Sequence, residues 1–217
     1  MGRFNKKRKK RSKTIDFTLY IVVRVVVELV RVLPLQVCTL LGRFCAYTAY
    51  LVDRRRRRIA EVNLRNAYGE NLSEVQVQEI IRRSYVHLAS VGVDFIKLPR
   101  IVNSNNWRNH IAVEGLEFAK KAREEGKGII FVTGHVGNWE VLGCAIEFRV
   151  HQPVHSIAKH IETPFNARLV TQLREDGGQK IMFTENSARA ILRVLKNNQL
   201  LGILIDQKVR DNNILVD

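Results

Sequence analysis

The chain's 217 residues carry 36 Lys and Arg against 21 Asp and Glu, a formal net charge of +15, and 46% of them are hydrophobic. Such a length and apolar share can bury a real core, enough for one good-sized domain plus an appendage, and they exclude a wholly disordered chain. The three cysteines, Cys38, Cys45 and Cys144, are odd in number and lack CxxC spacing, which argues against a disulfide framework or zinc site and fits a reducing, cytoplasmic setting.

The excess charge falls largely in two runs, Lys6 to Arg11 and Arg54 to Arg58. Nucleic acid and an anionic membrane both offer dense phosphates to such runs. Residues 15–52 lie between them and form the most apolar long stretch of the chain. Arg24, Glu28, Arg31 and Arg43 interrupt that stretch. It therefore lacks the ~18 uncharged residues of a clean transmembrane span. Arg24, Glu28 and Arg31 share one helical stripe and can pair, leaving the opposite face apolar. The expectation is an amphipathic or partly inserted helix, broken at Pro34, on a membrane surface. A buried helical hairpin of a soluble domain is the alternative. No small-residue cleavage site follows the stretch, so it does not read as a signal peptide.

Farther along, IAEVNLRNAY continues a helix that Gly69 ends, and Ser73 with Gln76 forms a capping box opening a helix that Pro99 is expected to stop. Asn71-Leu72-Ser73 is a chance match to a glycosylation sequon. Beyond residue 100 the character changes. Short branched apolar runs, GIIFVTG at 128–134, KIMF at 180–183 and LLGILID at 200–206, alternate with helical stretches. The expected fold class is α/β, a mostly parallel central sheet flanked by helices, with an N-terminal membrane-associated helical region. Thr163 and Pro164 read as N-cap and first position of one helix, and Asn186 as the cap of another reaching about Lys196. The expected division is 1–58 for the basic tail and membrane segment, 59–100 for a helical region and 101–217 for the α/β core. Ile214-Leu215-Val216 reads as the start of a further strand, so the C-terminal part of the fold is expected to be missing.

Ligand sites in parallel α/β layers form beyond the carboxyl ends of strands. GIIFVTGHVGNWEVLGCA puts polar residues there. Gly134 and Gly137 bracket His135 in a tight turn, Asn138 can cap the following helix, and Glu140 lies in that helix's first turn, where the dipole favours an acid. From there Glu140 can reach back to the imidazole, fix its tautomer and make His135 a general base. Asp206, at the carboxyl end of another strand, can converge on the same site. His151, His155 and His160 have no regular ligand spacing, and no metal is expected. Walker, dinucleotide and Gly-x-Ser-x-Gly patterns are absent, which argues against a covalent serine mechanism.

GHVGNWE at 134–140 closely resembles the signature of the lysophospholipid acyltransferase superfamily, and within it the late acyltransferases of lipid A biosynthesis. RRRRRIAEVNLRNAYGE, GLEFAKKAREEGKGIIFVTGH, LREDGGQKI and LLGILIDQK resemble further blocks of that family in the same order. The resemblance implies a membrane-bound enzyme that moves a fatty acyl group from acyl-carrier protein or acyl-CoA to a hydroxyl of a glycolipid acceptor, without a cofactor. It implies the inner membrane of a bacterium, with the site on the cytoplasmic side. His135 would be the base, Glu140 its partner, Arg174 would hold a phosphate or head group, and Asp206, Gln207 and Asn138 would line the pocket. Family members usually continue past the Asp-Gln block, which keeps a non-catalytic membrane-associated relative as one rival reading. A nucleic-acid-binding protein is the other, and the basic runs contain none of the interleaved aromatics it needs.

Overall fold

A computed structural model describes residues 13–103, 105–158, 163–183 and 187–207. Helices come first: α1 (Lys13–Val32), α2 (Leu35–Val52), α3 (Arg54–Tyr68) and α4 (Glu74–Ile101). Then helices and strands alternate as α5 (Leu116–Glu124), β1 (Ile129–Thr133), α6 (Trp139–Val150), β2 (Val154–Ala158), α7 (Pro164–Asp176), β3 (Gln179–Phe183), α8 (Ser187–Lys196) and β4 (Leu200–Leu204). The basic run at Lys6, the Asn186 cap, His160 and the strand expected at Ile214 lie outside the described residues.

Local chemistry explains the helix limits. Pro34 separates α1 from α2, Asp53 caps α3 by accepting the Arg56 amide at 3.0 Å, and Gly69 ends α3 with φ of 59°. Ser73 and Gln76 exchange both bonds of the capping box, at 3.3 and 2.8 Å. The expectation that Pro99 stops α4 is corrected: the helix runs on to Ile101, and the Val102 amide still reaches the Leu98 carbonyl at 2.8 Å. Proline in the last turn forfeits only one amide donor, and its neighbours keep their helical bonds. Thr163 does precede α7, with Pro164 in the first turn.

The four strands among the described residues are all parallel, in the order β1-β4-β2-β3. Leu200, Leu201 and Val154 are almost wholly buried, as expected for strands covered on both faces. The strand β2 was not read from sequence. VHSIA mixes His and Ser into a short run after Pro153, so it has neither the apolar continuity nor the alternation that marks a strand.

The long helix α4 joins the helical and sheet-bearing parts, packing against α1, α2, α3, α6 and α7. Val27 of α1 is buried with Leu169 and Leu173 of α7, and Phe165 meets Phe17 edge-on and Tyr20 at a tilt. The expected stripe on α1 forms: Glu28 pairs with Arg24 at 3.2 Å and Arg31 at 3.3 Å. Arg31 also meets Asp176 of α7 at 3.2 Å, so part of the charged stripe faces the α/β core. Buried Lys97 donates to the Leu33 carbonyl at 2.6 Å, placing a cation at the negative end of α1. Large apolar side chains of α1 and α2 remain exposed, Leu40 at 68% and Phe44 at 69% among them. Only α2 among the described helices is long and apolar enough to cross a membrane, and 11% of it is buried.

Candidate functional site

The turn between β1 and α6 lies at the carboxyl edge of the sheet, beside the end of β4. Gly137 takes φ of 58°, a conformation that side-chain-bearing residues rarely adopt, and lets the chain reverse into α6. Asn138 then caps α6: its Oδ1 accepts the Val141 amide at 3.2 Å while its Nδ2 donates to Asp94 of α4 at 2.9 Å. Burial holds the Asp94 carboxyl above its ordinary range, partly opposed by that bond. A second tie runs from the same helix, where His87 Nε2 lies 2.9 Å from the Gly137 carbonyl. Both partners of α4 thus hold the turn's backbone or cap, and His135 projects from it.

His135 is gripped twice by Asp206. Its backbone N–H donates to Oδ2 at 2.8 Å and its Nδ1–H to Oδ1 at 2.8 Å. The bonds from the His135 imidazole and backbone amide hold the Asp206 carboxyl below the usual range, so it stays ionised and can only accept, which makes Nδ1 the donor. In the neutral imidazole the free lone pair is then on Nε2. Gln207 Nε2 lies 3.4 Å from it, a long and weak contact, and Trp139 meets the imidazole edge-on at 5.0 Å between centroids. Gly134 makes the grip possible, because a Cβ there would press on the Asp206 carboxyl at 3.2 Å.

The expected pairing of Glu140 with His135 is corrected in its geometry. Glu140 is 9% exposed, and its carboxylate takes a two-pronged grip from Arg174 of α7: Nη2 to Oε1 at 2.7 Å and Nε to Oε2 at 3.1 Å. A planar guanidinium offers a carboxylate two parallel donors, a better match than one ring N–H, so the interior position favours Arg174. Below this pair the Glu140 carbonyl accepts Gln179 Nε2 at 3.3 Å, and Gln179 Oε1 accepts Ser156 Oγ–H at 3.1 Å, binding α6 to β3 and β2. Cys144 lies alongside, its thiol pushed up to about 12 by burial and so inert.

Residues 4–217 match the family model of bacterial lipid A biosynthesis acyltransferases. The chain belongs to that family. It is an acyltransferase family. A search of curated proteins finds no match.

Of the six residues expected at the site of this family member, the structure brings His135, Asp206 and Gln207 together, sets Asn138 as the cap behind them, and joins Glu140 to Arg174 beneath. Asp94 and His87 were not read from sequence. They lie in the middle of a long helix with no motif around them, and only the packing of α4 against α6 reveals them. His155, weighed as a metal ligand, is buried in β2 with Nδ1 at 3.2 Å from the Leu200 carbonyl. Among the described residues no cluster of His, Cys, Asp or Glu fits a metal.

Proposed function

We propose that this chain transfers a fatty acyl group from the thioester of acyl-carrier protein or acyl-CoA to a hydroxyl of a glycolipid acceptor, with His135 as general base and Asp206 as the group that orients it. The observation that carries the reading is the double grip of Asp206 on His135, which fixes the tautomer and leaves Nε2 open beside a helix N-terminus. Nε2 takes the proton of the acceptor hydroxyl as its oxygen attacks the thioester carbonyl. The tetrahedral oxyanion forms near the amides and positive dipole end of α6. On collapse the C–S bond breaks, and the departing thiolate receives the proton held on Nε2. Gln207, now the weak neighbour of Nε2, yields that position to the hydroxyl. No step requires a cofactor.

Glu140 and Arg174 serve this reading as the base of the site. Their pair sets the first turn of α6 against α7, and so the position of the turn that bears His135. Head-group binding by Arg174 has less support, because its guanidinium is already engaged on two prongs. The test is transfer of a labelled acyl chain from its carrier thioester into membrane lipid, followed by chromatography. Transfer by the unaltered protein and none by H135A supports the reading. Equal transfer by both removes it.

The exposed apolar faces of α1 and α2 suit a membrane surface, and the basic runs suit its anionic phosphates. The inner membrane, with the site on its cytoplasmic side, is the setting that the family points to. Deleting residues 1–58 would strip packing partners from α4 and α7, so the cleaner probe is the double variant L40E/F44E. Both positions face solvent, and the variant is expected to keep its fold while moving from the membrane to the soluble fraction. Retention at the membrane would assign the anchor elsewhere.

A further inference from the structure

A cleft of about 540 Å³ opens between α2 and α4 on the flank of the catalytic turn. Its lining includes Arg43 and Tyr47 from α2, and Arg82, Arg83, Val86 and His87 from α4. The charge there is unbalanced. Glu79 binds Arg82 at 2.8 Å and Arg83 at 2.6 Å, and those two bonds pull its carboxyl down to about 2. Arg43 has no carboxylate partner among the described residues. Three guanidiniums facing one carboxylate leave two positive charges uncompensated. Like charges gathered on two separate helices repel, and an anion between them relieves that repulsion.

The cleft is also connected to the chemistry. His87 lines it and bonds the carbonyl of Gly137, in the turn that carries His135. Tyr47 and Val86 add a half-apolar wall, so the cavity suits a charged group attached to a less polar arm. Guanidiniums on both walls suit phosphate oxygens, which accept forked N–H donors.

Resting on the acyl-transfer reading, we infer that the α2–α4 cleft is a phosphate-ester subsite. It seats the phosphate of one of the two substrates, either the carrier arm of the thioester donor or the head group of the acceptor, while the reacting atoms reach His135. The geometry assigns the shared chemistry, and experiment separates the two sources.

Binding is measured on H135A protein, so that turnover does not intervene. Two matched pairs of probes are used: phosphopantetheine against pantetheine, and a phosphorylated glycolipid against its dephosphorylated form. In one pair the phosphorylated probe is expected to bind roughly tenfold more tightly, as a charge-assisted contact allows. The preference should vanish in R43A/H135A and return in part in R43K/H135A. Arg83 is 77% exposed, so R83A/H135A is a second variant that removes no core packing, and it should weaken the same preference. Absence of a phosphate preference in both pairs, or its persistence unchanged in both R43A and R83A backgrounds, overturns the subsite. If the preference holds while H135A still transfers acyl chains at the normal rate, the subsite stands and the catalytic reading falls.

Discussion

Two carboxylates flank the same turn and have opposite surroundings. Asp206 is on the exposed rim, held by an imidazole and an amide, with its side chain 40% accessible. Glu140 is one layer deeper, 11% accessible, and is clasped by a guanidinium. The exposed pair can exchange its partner for water, because solvent reaches both side chains. The deeper pair cannot, since a buried ion left without its partner is costly. On the acyl-transfer mechanism proposed above, burial more than residue type divides the labour between them: the rim pair would serve proton transfer and the inner pair would hold the frame.

The largest expected effect comes from the rim. H135A should lower acyl transfer by ~10²–10⁴-fold, the usual worth of a general base, while the thermal melt followed by circular dichroism stays near that of the parent. Matching activity and melting losses would place His135 in the frame and erase the contrast.

The inner pair should show the reverse pattern. E140A leaves Arg174, whose side chain is 25% accessible, without its partner, which should cost roughly 1–3 kcal/mol of stability and appear as a clear drop in Tm. Replacing both partners, as in E140L/R174M, should recover much of that loss, because no lone charge remains. A normally stable but inactive E140A protein would return Glu140 to the reaction and break the division proposed here.

D206N tests the orienting carboxylate. It should reduce turnover by roughly 10–100-fold, less than loss of the base itself, with acceptor KM little changed. The control W139F should retain most activity.

The smallest effect concerns acid stability. The His135 bonds lower the folded-state pKa of Asp206, so its stabilisation is present above the unfolded carboxyl value of about 3.9 and is lost as pH falls through the lower, folded value. The stability difference between parent and D206N should therefore be small, persist at neutral pH and disappear in strong acid. A difference that grows on acidification would contradict the sign.

Most of the helices and three of the four described strands could be read from residue pattern because their causes are local. Pro34, Asp53, Gly69 and the Ser73–Gln76 box act within a few residues of themselves. The strand β2 escaped because its burial is imposed by β3 and β4 on either side, and nothing in VHSIA announces it. The glycine-bracketed His135, the Asn138 cap and the position of Asp206 at a strand's end were legible for the same local reason, since turn and cap chemistry is written in adjacent residues.

Which carboxylate meets the imidazole was not written there. Glu140 stands five residues from His135 and Asp206 seventy-one, so proximity in sequence favours the wrong partner. The α6 backbone turns Glu140 inward to Arg174, and the parallel pairing of β1 with β4 carries Asp206 to the rim. Likewise His87 and Asp94 touch the turn only because α4 crosses α6. By itself the sequence determined the family, the α/β class and the glycine-bracketed turn from which His135 projects. The tertiary structure decided the partners, because a hydrogen bond depends on distances that strand order and helix packing set, whatever the separation along the chain.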